Sequence, residues 1–487
     1  MNWIRTGGIA VAVTIISIAI WIVSIFLLAI IRAVEVAIVH RLPTGAWTQI
    51  RYSLSLLLIV VFWGFRQGLL RSKIVSASSI SKTDEFCTTI LERLLPIIFS
   101  MGILLAFLTW YPHYLFWPWW MDLEHFAVSA HMWDLGVRPY RDLIDFNFPG
   151  PIYFMWFLGK TFGWGSPMAA NAIDGLVVLG ICSLLTYWSR KSLGSSLSGL
   201  FASVLILRYY FNLDYARVMQ RDWYVAVLGI SSICLIQSTG WKHRWVAAGL
   251  LMSVAGIVRP YTILFLPPIG LACLLESKDR DRSRTWNVIL LAISMTAGTV
   301  VLWLPLVIHG LFDDFLSTFA EALAADHYRS RDEEGLFELL IRQANTKIIF
   351  TGLAGLVLSS IIERRNPDRF RVSVVWLCAL ASMLFYMPIC PVRHAYTEIP
   401  VEMVACVGCG IALKCLVDQT TWAGSVKLFA VIVWFAFQFP ALPLFCSMTS
   451  SFQAIQSISK GEMIEEPPPG CRFVLGRTAI MGPTQYS

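Results

Sequence analysis

Apolar positions in this chain come in long blocks instead of alternating with polar ones. The blocks lie near 8–31, 50–65, 95–114, 168–188, 196–212, 222–238, 244–258, 260–276, 286–308, 347–362, 372–389, 398–416 and 425–445. A helix crosses a bilayer core with about 20 apolar residues, so this pattern predicts an all-α polytopic membrane protein with about thirteen spans. The first block, GGIAVAVTIISIAIWIVSIFLLAI, is too long for a signal-peptide core and is followed by no small-x-small cleavage site. It reads as a retained anchor.

The polar tracts between blocks orient the chain. RK at 190–191, KHR at 242–244, KDRDRSR at 278–284 and ERRNPDRFR at 363–371 fall on one side if the blocks are spans, and a lysine- and arginine-rich side is cytoplasmic. Segments 115–167 and 309–346 then share the outer face. The second is rich in acids: Asp313, Asp314, Glu321, Asp326, Asp332, Glu333, Glu334 and Glu338. Arg32, Arg41 and Arg51, between the first two blocks, run against this scheme.

The outer segment MDLEHFAVSAHMWDLGVRPYRDLIDFNFPGPIYF, residues 121–154, breaks the apolar pattern most sharply. It follows HYLFWPWW, an aromatic belt of the kind that sits at headgroup level. Residues 122–135 are helix formers without proline, and glycine and proline in GVRPYRD stop them. NFPGPIYFMWFLGKTFGWG then resumes as a short apolar helix opened by prolines, too short to span before the next block begins. Two interfacial helices joined by an acidic turn are expected here.

Composition adds the solvent. Hydrophobic residues make up 57% of the 487, charged residues 14%, there are 20 tryptophans, and the mean hydropathy is +0.65, whereas soluble domains carry about 25% charged residues. The net charge of +7 resides in tracts that flank spans, which argues against a nucleic-acid partner. The eleven cysteines are scattered, mostly within spans, as small packing residues. Cys406 and Cys409 form a lone CxxC in a helical block and read the same way, while Cys446 and Cys471 are candidates for a disulfide in the outer tail. The organisation expected is two spans and a linker in 1–94, a membrane domain in 95–445, and a short outer tail in 446–487.

The outer segment also carries a resemblance. An acidic pair, a small-residue helix, G-x-x-P-Y-R-D, an acidic aromatic turn and P-x-P-x-Y-F at the start of a short apolar helix resemble the first outer loop of GT-C-fold glycosyltransferases. The nearest in pattern are the bacterial lipid-A and core-sugar transferases and relatives of the protein O-mannosyltransferase type. MQRDWYVAVLG at 219–229, GIVRPYTILFLPP at 256–268 and PVRHAYTEIPVEM at 391–403 are similar to later segments of that family, so the likeness covers roughly residues 95–415. The family usually has adjacent Asp-Glu in this loop. Here Leu123 separates Asp122 from Glu124, and either acid could inherit the base role.

The resemblance implies an inverting transferase that moves a sugar from a polyprenyl-phosphate donor to a glycan, lipid or protein hydroxyl. The setting would be the outer face of a bacterial inner membrane. The resemblance implies no particular cofactor, and a divalent metal is compatible with the chemistry. Asp122 or Glu124 would take the acceptor proton. Arg221, Arg259 and Arg393, each at an outer span end, would meet the lipid phosphate as charge develops on it. Arg141, Asp142, Asp145, Asp222, His394 and Tyr396 are further cavity candidates. Asp174, inside a span, is expected to pair with an arginine, and His327 reads as an ordinary loop histidine. A transporter or flippase for a lipid-linked or anionic substrate is the competing class. Transporters place ionisable groups near the midplane on broken helices in matched halves, whereas here most charges lie at span ends and no internal repeat is visible.

Overall fold

The computed structural model describes residues 60–64, 66–68, 77–143, 145–213, 217–238, 241, 243–275, 281–324, 339–340, 343, 346–390, 395–418 and 423–438. Among these the chain is helical, with no strand and one isolated bridge, Pro139 to Leu143. In order, α1 is Ala77–Thr89, continuing through a π-turn at Ile90–Leu94 into α2, Leu95–Tyr114. Then come α3 Met121–Asp134, α4 Gly150–Phe162, α5 Pro167–Ser192, α6 Leu197–Phe211, α7 Arg221–Gln237 and α8 Arg244–Val258. A 3-10 turn, Pro260–Phe265, leads to α9 Leu266–Leu274, α10 Asp281–Ile308, α11 Phe312–Ala324, α12 Lys347–Ile362 and α13 Pro367–Leu384. The chain ends with α14 Tyr386–Ile389, a turn at Ala395–Glu398, α15 Ile399–Asp418 and α16 Gly424–Gln438.

Each apolar block from 95 onward coincides with helix over its described residues, which for the last block end at Gln438. Among the described residues five stretches are long and apolar enough to cross a bilayer: Ser81–Tyr114, Pro167–Ser192, Thr285–Ile308, Pro367–Ile389 and Tyr396–Asp418. This is a helical membrane protein. Block 8–31, most of block 50–65 and the tail at 446–487 lie outside the described residues, as do Cys446 and Cys471.

The described residues form two compact units. Those up to Ile97, with Leu416 onward, make the first. Its centre is Asp84, whose carboxylate takes Arg66 at 2.5 Å and, on its other oxygen, the Ser425 amide at 3.1 Å and hydroxyl at 2.6 Å. A carboxylate at the start of α16 meets the positive end of that helix. Phe62 stacks on Phe429 beside it, centroids 4.3 Å apart.

Ile98–Cys415 make the second unit. Short connections fold α6 back on α5 and α8 back on α7, and α5 also packs against α7. At one end the Trp188 and Trp376 indoles both donate to Gln237 Oε1 at 2.9 Å, and the Ser192 hydroxyl donates to the Gln237 carbonyl at 3.1 Å. This is the end that carries Arg190, Lys191 and Arg244. Close backbone approach packs α8 on α10: a Cβ on Gly249 would meet Ser294 Oγ at 2.1 Å, and Ser253 donates to the Met295 carbonyl at 2.7 Å. Small residues permit such approach where lipid supplies no hydrophobic drive.

At the opposite end segment 121–162 forms two short helices, α3 and α4. Asp122 and Glu124 occupy the first turn of α3, where carboxylates complement the helix dipole. Gly136, at φ +94°, stops the helix in a conformation that disfavours other residues. Proline at the first turn starts α4, and Gly163 at φ +92° ends it. Gly150 admits α4 to the end of α8, since a Cβ there would lie 2.7 Å from the Ile257 carbonyl. That contact brings the 145–150 turn beside Arg259.

Candidate functional site

The end opposite Gln237 gathers most of the charge in the second unit. Arg221 and Asp222 are the first two residues of α7, and consecutive helical residues point about 100° apart. Arg221 therefore turns toward α3 and Asp222 toward the end of α8. One Nη of Arg221 lies 3.8 Å from Asp122, too long for a hydrogen bond, and the other donates to the Asn147 side-chain carbonyl. Phe126, one turn after Asp122 on the same face of α3, lies under the guanidinium at 5.4 Å.

Asp222 is fully buried. Its carboxylate faces Arg259 at 3.1 Å and accepts from the Tyr386 hydroxyl at 2.7 Å. Arg259 caps α8 in extended backbone, and its guanidinium lies 5.8 Å from the Tyr261 ring. The anion it meets is thus Asp222, so the buried cation is compensated within the chain. Arg221 and Arg259 are electrostatic neighbours, as are Tyr396 and all of Arg221, Arg259, Asp122 and Asp222. The Nε of each arginine is buried and makes no hydrogen bond among the described residues.

A second arm reaches Arg221 through Asn147. Asp145, with its side chain fully buried, accepts from the Asn147 amide N–H and side-chain NH2, both at 2.8 Å, and faces His125 Nε2 at 3.1 Å. The Asn147 amide thus gives its N–H to Asp145 and its oxygen to Arg221, which fixes its orientation. The hydrogen bond to Asp145 raises the His125 pKa, and partial burial opposes it. Burial raises the Tyr140 pKa well above its ordinary value, so its hydroxyl stays protonated and donates to the Asn147 carbonyl at 2.9 Å.

The expected site residues divide clearly. Asp122, Arg221, Asp222, Arg259, Asp145 and Tyr396 come together. Glu124 does not: two positions from Asp122 on a helix is about 200° of rotation, and it is exposed. Arg141 pairs with Asp314 at 2.7 Å and donates to the Gly310 carbonyl at 3.0 Å, tying the turn to α11. Asp142 pairs with Arg138 at 3.1 Å across an exposed turn. Arg393, His394 and His327 lie outside the described residues.

Asp174 departs from expectation most. Among the described residues it pairs with no arginine. Fully buried in α5, it accepts from Tyr210 at 2.5 Å, Tyr114 at 2.7 Å and the Trp223 indole at 3.1 Å. His125, Asn147 and Tyr386 were not among the expected residues. His125 was detectable, since it stands three residues after Asp122 on one helix face. Among the described residues no group of three or more His, Cys, Asp and Glu is placed to hold a metal, and Cys406 and Cys409 are free and buried in α15. No family model, curated protein or solved structure matches the chain.

Proposed function

We propose that this chain is an inverting membrane glycosyltransferase of GT-C type, with about thirteen spans and with α3 and α4 lying in the outer interface. It moves a sugar from a polyprenyl-phosphate donor to a hydroxyl at the outer face of a bacterial inner membrane. The observation that carries the reading is the pair of arginines from separate helix ends, Arg221 and Arg259, gathered beside the partly exposed carboxylate of Asp122. Asp122 takes the proton of the acceptor hydroxyl as that oxygen attacks the anomeric carbon. The bond from carbon to phosphate oxygen breaks in the same displacement. The polyprenyl phosphate leaves with its charge met by Arg221 and Arg259. Asp222, itself held by the Tyr386 hydroxyl, holds Arg259, and Asn147 holds Arg221.

The placement of these groups favours a transferase over a transporter. Arg221 opens α7, Arg259 closes α8 and Asp122 lies in the first turn of α3, so all three stand at helix ends and not in mid-helix, where a transporter holds its ionisable groups. The test is sugar transfer from a polyprenyl-phosphate donor by the purified full-length chain. Asp122→Asn is expected to lower turnover at least about a hundredfold with donor affinity within a few-fold. Normal turnover in Asp122→Asn would remove the base assignment. Donor binding without transfer to any hydroxyl, in the unaltered protein, would favour the flippase class.

A further inference from the structure

Asp174 takes no part in the proposed reaction, yet its bonds bracket the residues that do. Its Oδ2 holds the Tyr210 hydroxyl at 2.5 Å, and that hydroxyl accepts the Met219 amide at 3.1 Å. Its Oδ1 holds the Trp223 indole at 3.1 Å, and the Trp223 ring stacks on Tyr210 with centroids 4.0 Å apart. Between these anchors lie Gln220, Arg221 and Asp222. Met219 has φ +55°, a left-handed conformation disfavoured for a residue with a side chain. It is the turn that launches α7 with Arg221 and Asp222 aimed at different partners.

We infer that Asp174 is a positioning residue for the arginine site: through Tyr210 it holds Met219 left-handed, and through Trp223 it fixes the first turn of α7, so that Arg221 faces Asp122 and Asp222 faces Arg259. A carboxylate suits this clamp because both its oxygens only accept, matching the hydroxyl and indole donors around it. An arginine partner for Asp174 would compete with those donors. The clamp therefore uses neutral groups, leaving the two guanidiniums to the site.

The inference rests on the phosphate reading for its consequence but not for its geometry, and the test separates the two. Full-length protein in nanodiscs is examined by hydrogen exchange of a peptide covering 217–224 and by binding of farnesyl phosphate. Tyr210→Phe removes the bond to Met219 and keeps the ring stack. It is expected to speed exchange in that peptide about tenfold and to weaken farnesyl phosphate about five- to tenfold, with Asp174→Asn acting in the same direction. Adding Met219→Gly to Tyr210→Phe is expected to restore affinity to within about twofold, because glycine takes positive φ without a clamp. A general packing lesion would not be rescued in this way. Unchanged exchange in both Tyr210→Phe and Asp174→Asn, or an affinity loss that Met219→Gly fails to restore, would overturn the inference. Faster exchange in a protein whose unaltered form does not bind farnesyl phosphate would sustain the clamp and sink the phosphate reading.

Discussion

Asp174 and Asp222 are both wholly buried carboxylates, yet their surroundings differ in kind. Asp222 faces a guanidinium and one tyrosine, at a helix end beside a second guanidinium. Asp174 lies two turns inside α5 and is met by two tyrosines and an indole, with no cation in hydrogen-bond reach. Burying a charge requires partners in either place. An ion pair adds charge that an incoming anion can engage, whereas a cage of neutral donors closes on itself. On the proposed function, the difference separates the site from its support.

The largest effect is expected where an ion pair is broken on one side. Arg259→Ala leaves Asp222 buried against Tyr386 alone and should cost about 3–5 kcal/mol of stability. Adding Asp222→Ala should recover much of that loss, because it removes the stranded charge. Thermal unfolding of the single and double variants checks this, and equal losses in both would show that Arg259 contributes packing and not charge compensation.

Asp174→Asn should cost less, about 1–3 kcal/mol, since an amide keeps one acceptor and opposes only one of the donors. Unfolding measured beside Arg259→Ala places the two carboxylates in order. A loss for Asp174→Asn as large as that for Arg259→Ala would erase the distinction between cage and ion pair.

Glu124→Gln should leave transfer within about twofold, because its side chain points away from Arg221 and surface changes of this kind seldom matter. A loss approaching that of Asp122→Asn would transfer the base role to it.

The smallest effect is in pH dependence. The His125 pKa is raised by its bond to Asp145, so the pair stabilises fully below the ordinary histidine value of about 6.5. The contribution is lost as pH climbs through the higher folded-state value. With His125 nearly half exposed, the change should be about 1 °C in melting temperature between the two limits. In His125→Asn that pH-dependent component should vanish, as differential unfolding across this range would show.

Much of the frame was legible in sequence because lipid demands long apolar blocks, and each block from 95 onward is helix over its described residues. Arg221, Asp222 and Arg259 were legible for the converse reason: charges that interrupt such blocks need a purpose. Partners were harder to read. Asp174 meets tyrosines 60 and 36 positions away and a tryptophan 49 away, and aromatic residues in an apolar block give no sign that their polar tips converge. Nor did the sequence show that the partner of Arg141 is Asp314, 173 positions on. The exposure of Glu124 could have been read from helical phase alone, since it and Asp122 cannot share a face.

The central claim is that Arg221 and Arg259 together hold a lipid phosphate. The most direct measurement is solid-state NMR of full-length protein carrying 15N-labelled arginine guanidiniums, with farnesyl phosphate bound. Phosphorus-to-nitrogen dephasing is expected in the unaltered protein and should fall on Arg221→Lys and on Arg259→Lys, disappearing when both are changed. Dephasing that persists in the double variant, or its absence from the unaltered protein at saturating ligand, would contradict the claim.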